Sequence, residues 1–164
     1  MAQNLSLDKE IKLIDSLIQY NKLDIAHEKT EKLYQLLTNS KKSKKQKTQL
    51  LEIRFRKAII LDRQSVSPAK YIQILQGLID EAETEDLNSL SCRIYLLLAL
   101  AYEKADDLDL TDKYLQNAYN TYKKYNLNEI YSTYCIRKGS YYRYKEELDS
   151  TLYYATKAKE YAKK

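Results

Sequence analysis

Glycine and proline are almost missing from this chain, with 2 Gly and 1 Pro in 164 residues. A β-rich fold draws on both to shape its turns, so their scarcity leaves helices as the structural material. Tryptophan is absent and histidine occurs once, as His27. With Cys92 and Cys135 as the only cysteines, neither a zinc site nor a disulfide-rich scaffold can be assembled, and two cysteines do not decide the redox compartment. Two readings of the pair stay open: small buried hydrophobes, or a single bridge between neighbouring helix pairs. Long hydrophobic runs are missing too. The longest, Ile94 to Tyr102 between Arg93 and Glu103, is about half the length a membrane-spanning helix needs, so no transmembrane segment is expected.

The usual signatures of catalysis are also lacking. There is no phosphate-cradling Gly-rich loop, no His pair at metal spacing, and no Ser–His or Cys–His set. The expectation is a non-enzymatic chain with no catalytic residues, no cofactor and no metal. His27, beside Ala26, reads as a surface or packing residue, and Asp80-Glu81-Glu83-Glu85-Asp86 as a solvated acidic surface.

What is present suits amphipathic helices. Charged residues make up 31% and hydrophobic ones 44%, with 17 Tyr, which is too apolar and aromatic for disorder. The length allows one compact domain or a short repeat array with a continuous core. A formal net charge of +5, from 28 Lys and Arg against 23 Asp and Glu, favours anionic partners only weakly and does not by itself imply nucleic acid.

An internal period organises the apolar residues. The first unit reads Leu13-Ile14-x-x-Leu17, Asn21-x-Leu23-x-x-Ala26 and Leu33-Tyr34. The third reads Leu98-Ala99-x-x-Tyr102, Asp106-x-Leu108, Leu115 and Ala118-Tyr119; the fourth reads Gly139-x-x-Tyr142, Glu146-x-Leu148, Thr151, Ala155 and Ala158. The second is looser, with Ala58-x-x-Leu61, Ser65, Ile74 and Gly77-Leu78. Anchors at Ile14, Ala58, Ala99 and Gly139 recur every 40 to 44 residues. A small anchor lets the first helix of a pair approach the second, and an aromatic one turn on fills the gap.

This template resembles the tetratricopeptide (TPR) repeat family, although its period exceeds that family's roughly 34 residues and each unit lacks the family's early tryptophan and closing proline. The resemblance implies an all-α fold, a right-handed α-solenoid of about four antiparallel helical hairpins. Units are expected near 7–38, 47–84, 88–125 and 127–163, forming a single repeat domain over 1–164. Helices are expected near 7–20, 23–38, 47–63, 68–84, 89–105, 108–125, 128–145 and 148–163. Ser67 can cap a helix that begins at Pro68, and Asn88 and Asn128 sit where caps are wanted. The longest break, Thr38 to Gln46, holds Lys41, Lys42, Lys44 and Lys45, whose repulsion favours an extended, solvated loop.

Arginine is segregated. Arg54, Arg56, Arg63, Arg93, Arg137 and Arg143 all fall in first helices of units two to four, whereas most lysines fall elsewhere. Arginine offers a planar fork for carboxylates and stacks on aromatics, so the segregation points to a recognition surface. In the TPR family first helices line the concave groove; matched to that pattern, Arg56, Arg63, Arg93, Arg137, Arg143 and Tyr144 form a candidate peptide- or protein-binding groove, suited to an acidic or carboxylate-bearing ligand. The competing reading is pairing of these arginines with Asp62, Glu103 or neighbouring acids. Tyrosine is uneven as well, with 14 of 17 at Tyr95 or later. Tyr102, Tyr119 and Tyr142 fit core positions, while Tyr131, Tyr134, Tyr141 and Tyr144 cover several sides of one helix, so some are exposed.

The resemblance therefore implies a scaffold or sensor module of a signalling or regulatory protein. A nucleic-acid-binding repeat using Lys41 to Lys47 and the arginine-bearing helices is the alternative, and a second copy of the chain is a further partner to consider. The start Met1-Ala2-Gln3-Asn4 resembles the mature end of an exported protein of the Bacteroidetes type; the chain is then periplasmic, and otherwise cytoplasmic. The last helix keeps Leu152, Ala155, Ala158 and Tyr161 with no further polar helix after it, which suggests a fragment of a longer protein.

Overall fold

A computed structural model describes residues 2–39 and 43–162, with side chains described from residue 7 onward. Eight helices follow one another: α1 (Ala2–Gln19), α2 (Leu23–Thr38), α3 (Lys44–Arg63), α4 (Pro68–Thr84), α5 (Asn88–Lys104), α6 (Leu108–Tyr125), α7 (Asn128–Tyr144) and α8 (Leu148–Tyr161). No strand occurs among the described residues. The chain therefore has the all-α composition expected from its shortage of glycine and proline, and α4 begins at Pro68 as expected.

Most connections are two to four residues long, and one backbone device closes six of them. Asn21, Ser65, Asp86, Asp106, Asn126 and Glu146 all adopt the left-handed conformation, with φ between 54° and 60°. The residue that follows then turns its N–H back to a carbonyl five positions earlier: Lys22 to Leu17 at 2.8 Å, Val66 to Leu61 at 3.1 Å, Leu87 to Ala82 at 2.8 Å, Asp107 to Tyr102 at 3.0 Å, Leu127 to Tyr122 at 3.2 Å and Glu147 to Tyr142 at 2.9 Å. These are Schellman-type endings, which satisfy the last carbonyls of one helix while aiming the chain into the next. Glycine is the usual occupant of the left-handed position, yet both glycines lie inside helices, Gly77 in α4 and Gly139 in α7. Asn and Asp visit that region readily; Ser65 and Glu146 do so at a cost.

The turns correct two expectations. Asn88 and Asn128 do not cap their helices: the cap positions belong to Leu87 and Leu127, which make no side-chain cap bond. Each of these leucines is already the residue that closes the preceding helix, so the turn leaves no separate place for an asparagine cap. Asp107 does cap α6, accepting from the Leu110 N–H at 2.9 Å. The break at Thr38–Gln46 is also shorter than expected, because α3 starts at Lys44. Ser43 and Gln46 form a reciprocal capping box, and two orphan donors satisfied at once outweigh repulsion among solvated lysines. Lys41 and Lys42 lie outside the described residues.

The chain forms two compact units, residues 1–74 and 75–164, the division falling within α4. In the first, α1, α2 and α3 pack on one another. Ile14, Ile18, Ala26 and Ile60 form one apolar cluster, and Leu7, Leu37 and Ile53 form another. In the second, α5 packs on α6, α7 on both, and α8 on α7. Their shared core holds Leu96, Ala99, Leu115, Ala118, Tyr122, Ile130 and Tyr134 with both cysteines.

Burial follows the sequence pattern of each helix. The apolar run of α5 is buried at every position from Leu96 to Ala101, with Ile94, Leu98 and Ala101 fully inaccessible. By contrast α6 hides a single stripe, Thr111, Leu115, Ala118 and Tyr122, at helical spacing. The last helix, α8, hides only Ala158.

Glycine thus stands where a helix is weakened by it and is missing where a turn would welcome it. A Cβ added at Gly77 meets nothing within 4 Å, so Gly77→Ala should raise stability by about 0.5–1 kcal/mol through helix propensity alone. Glu146→Gly should raise it by a similar amount, about 1 kcal/mol, by relieving left-handed strain. Thermal unfolding followed by circular dichroism checks both; a fall in Tm for either would show that the turn or helix is held by something other than backbone preference.

Candidate functional site

The five arginines of the candidate groove divide by what they touch. Arg56 is 8% exposed and lies in α3. Its fork donates to both carboxylate oxygens of Asp15, Nε to Oδ1 at 2.7 Å and Nη2 to Oδ2 at 2.8 Å, and Nη1 donates to Glu52 Oε2 at 2.6 Å. Burial alone would lower the guanidinium's proton affinity, but hydrogen bonding to Asp15 and the charge of Glu52 raise it above its usual value. Arg56 therefore ties α3 to α1, as the pairing alternative anticipated. Arg63 Nη1 donates to the Ile18 carbonyl at 2.9 Å, closing the end of α1. Arg93 is half-buried in α5.

Arg137 and Arg143 are placed differently. They line an open depression of about 440 Å³ beside α7 and α8, together with Ile136, Gly139, Thr151 and Ala155. The Arg143 guanidinium is exposed and sits 5.9 Å from the ring centre of Tyr144, itself 47% exposed. Beside this depression the last two helices leave apolar surface in water: Ile136 in its lining is 54% exposed, and Leu148 and Leu152, on the α8 face that carries Thr151 and Ala155, are 75% and 69% exposed. Leu152 was legible as an uncovered apolar position of the last helix. Ile136 and Leu148 were not, because nothing in their local sequence separates them from core residues.

The tyrosines follow the expected division only in part: α7 does expose one of the four that cover several of its sides, but the three expected in the core are not the most deeply buried. Tyr134 and Tyr141 are buried, Tyr131 is half-buried and Tyr144 is exposed. Tyr102, Tyr119 and Tyr142 are only half-buried, and Tyr122 takes the deeper place. Stacked and edge contacts run from Tyr122 over Tyr131, with ring centres 4.7 Å apart, and onward from Tyr134 to Tyr154 at 6.2 Å and from Tyr154 to Tyr142 at 5.6 Å. This is packing between neighbouring helices. Lys138 joins it, 9% exposed, with Nζ donating to Asp112 at 2.6 Å and lying 4.6 Å from the Tyr141 ring centre.

The chain matches no family model, no curated protein and no solved structure. What it carries must be judged from its own surfaces.

Cys92 and Cys135 are free thiols, both buried, so the expected alternative of a bridge between them is not realised. The Cys92 thiol donates to the Ala118 carbonyl at 3.3 Å, and burial, followed by the charge of Glu129, pushes its pKa up to about 11. His27 lies on the α2 surface, 4.0 Å from Glu31. Of the lysines in the candidate nucleic-acid segment, Lys45 is paired with Asp8 at 2.8 Å. The hydrogen bonds from Lys45 and Gln49 hold the Asp8 carboxyl below its usual range.

Arg56→Ala removes a buried guanidinium that bridges α3 and α1 but leaves carboxylates that water reaches, Asp15 at 50% and Glu52 at 24% exposure, so it should cost about 1–2 kcal/mol in urea unfolding, whereas Arg143→Ala, at an exposed site, should stay within about 0.5 kcal/mol of the parent. Equal effects would refute this division of the arginines. The raised thiol pKa gives a second expectation. A neutral buried Cys92 contributes stability that is complete below pH 9, the group's ordinary value, and is lost as pH rises toward about 11. Unfolding measured across that interval should show a decline that is smaller in Cys92→Ala; an unchanged decline would remove Cys92 as its source.

Proposed function

We propose that the chain is a non-enzymatic module that binds protein or peptide ligands, with its helix pairs arranged as TPR-like antiparallel hairpins of an α-solenoid. It serves as a scaffold or sensor region of a regulatory protein. The observation that carries this reading is the surface of α7 and α8, where Ile136, Leu148 and Leu152 are exposed on the side that carries Arg143, with Tyr144 next to it. Large apolar side chains clustered with arginine and tyrosine are the composition of a binding hot spot, and a surface left for solvation alone does not collect them. Of the arginines that the family pattern assigns to a groove, Arg137 and Arg143 belong to this surface. Arg56 and Arg63 serve the fold.

The ligand is acidic or carboxylate-bearing, since both charged side chains lining the depression are arginines. No helix among the described residues is long and apolar enough to cross a membrane. The lysine segment offers less to a nucleic acid than its sequence suggests, because Lys45 is engaged with Asp8 and no aromatic side chains interleave the lysines.

Selection from a phage-displayed peptide library on the native protein, with Arg137→Glu/Arg143→Glu protein in parallel, tests the reading. Acidic peptides should be enriched on the parent and lose at least about tenfold in affinity on the double variant, with binding weakened by salt. Absence of enrichment, or equal retention by both proteins, would reject the binding role of this surface.

A further inference from the structure

The second unit repeats itself at an offset of 40 residues, in contacts as well as in sequence. Helices α5 and α7 begin at Asn88 and Asn128, and α6 and α8 at Leu108 and Leu148. Cys92 Sγ donates to the Ala118 carbonyl at 3.3 Å, and Ser132 Oγ to the Ala158 carbonyl at 3.0 Å, the same contact one repeat later. Thr111 Oγ1 bonds the Asp107 carbonyl at 2.8 Å, and Thr151 Oγ1 the Glu147 carbonyl at 2.9 Å. The left-handed residues Asp106 and Glu146 coincide as well. Positions on α5–α6 and α7–α8 can therefore be matched one to one.

Helix α7 covers one face of α5–α6. Two polar contacts mark its place: Ser140 Oγ donates to Glu103 Oε1 at 2.8 Å, and Lys138 Nζ to Asp112 Oδ1 at 2.6 Å. Leu96 and Leu115 are buried in that region, at 3% and 0% exposure. Shifted by 40 residues, the same positions are Arg143 for Glu103, Leu152 for Asp112, Ile136 for Leu96 and Ala155 for Leu115. All four are exposed. The face that is covered on α5–α6 is therefore open on α7–α8, with the same backbone and an altered polar code: an acid has become arginine, and a second acid has become leucine.

Resting on the binding-module reading, we infer that the α7–α8 face receives an amphipathic helix of a partner protein, in the place that α7 takes on α5–α6. That helix carries a carboxylate opposite Arg143 and an apolar residue opposite Leu152. The substitutions decide the chemistry. A helix like α7, with serine and lysine at these points, would leave Arg143 without a counter-charge and set an ammonium against Leu152; glutamate and leucine satisfy both. A second copy of the chain fits less well, because isologous pairing sets an arginine-bearing face against itself.

The test uses two labelled synthetic peptides copying residues 128–144, both with Cys135→Ser to prevent oxidation. One is otherwise unaltered and the other carries Lys138→Leu and Ser140→Glu. In fluorescence anisotropy the altered peptide should bind the full chain at least tenfold more tightly than the unaltered one. Arg143→Glu in the protein should abolish that preference, and a peptide with Lys138→Leu and Ser140→Lys should recover binding to this variant. Circular dichroism of the variant confirms its fold, as expected for an exposed position. Equal binding of the two peptides, binding of neither, or a preference that survives Arg143→Glu would overturn the inference. So would a dimer of the parent chain that dissociates on Leu152→Asp, which would assign the face to a second copy. If library peptides bind through Arg137 and Arg143 while these helices do not, the helix inference fails and the binding-module reading stands.

Discussion

A helix that shows apolar residues on more than one side cannot be satisfied by a single neighbour, and this constraint governs the chain. The two- and three-residue turns at Asn21, Asp106, Asn126 and Glu146, closed by a left-handed residue and a bond back across five positions, deliver α2 against α1, α6 against α5, α7 against α6 and α8 against α7. What a pair leaves uncovered must be covered by the next helix. In the second unit α7 does this for α5–α6, and α8 joins α7 without covering the equivalent face of the new pair. The exposed Ile136, Leu148 and Leu152 are the consequence.

Much of the fold was legible because the signals were periodic. Few glycines and prolines, a 40-residue spacing of small anchors and an apolar stripe per helix place eight helices with most ends within two or three residues. The turn chemistry was harder to read. The six left-handed residues are of four types, Asn, Asp, Ser and Glu, and none is glycine, so the usual marker of a helix end was absent at every one. The capping box of Ser43 and Gln46 sits inside a lysine run whose charge argued for a loop, and local hydrogen bonding prevailed over repulsion that water screens.

The site was only half legible for a different reason. Arginine in a first helix can face a ligand or an acid of the neighbouring helix, and the sequence does not say which. Arg56 finds Asp15, 41 positions away, and that partner becomes visible only once α1 and α3 are side by side. Arg143 has the same residue type and the same kind of helix but points into water. The comparison that separates the open face from the covered one was present in the sequence all along, as the replacement of Glu103 by Arg143 and of Asp112 by Leu152 across the repeat. It acquires meaning only when Ser140 and Lys138 are seen to bond the two acids.

The most direct measurement is a methyl NMR titration of the isoleucine- and leucine-labelled chain with the glutamate-bearing helical peptide. The expected result is saturable shifts of Ile136, Leu148 and Leu152, with Leu13, Ile25 and Leu36, exposed in the first unit, unmoved. Shifts at those three, or none at Ile136 and Leu152, would contradict the assignment of the open α7–α8 face as the place where a helix docks.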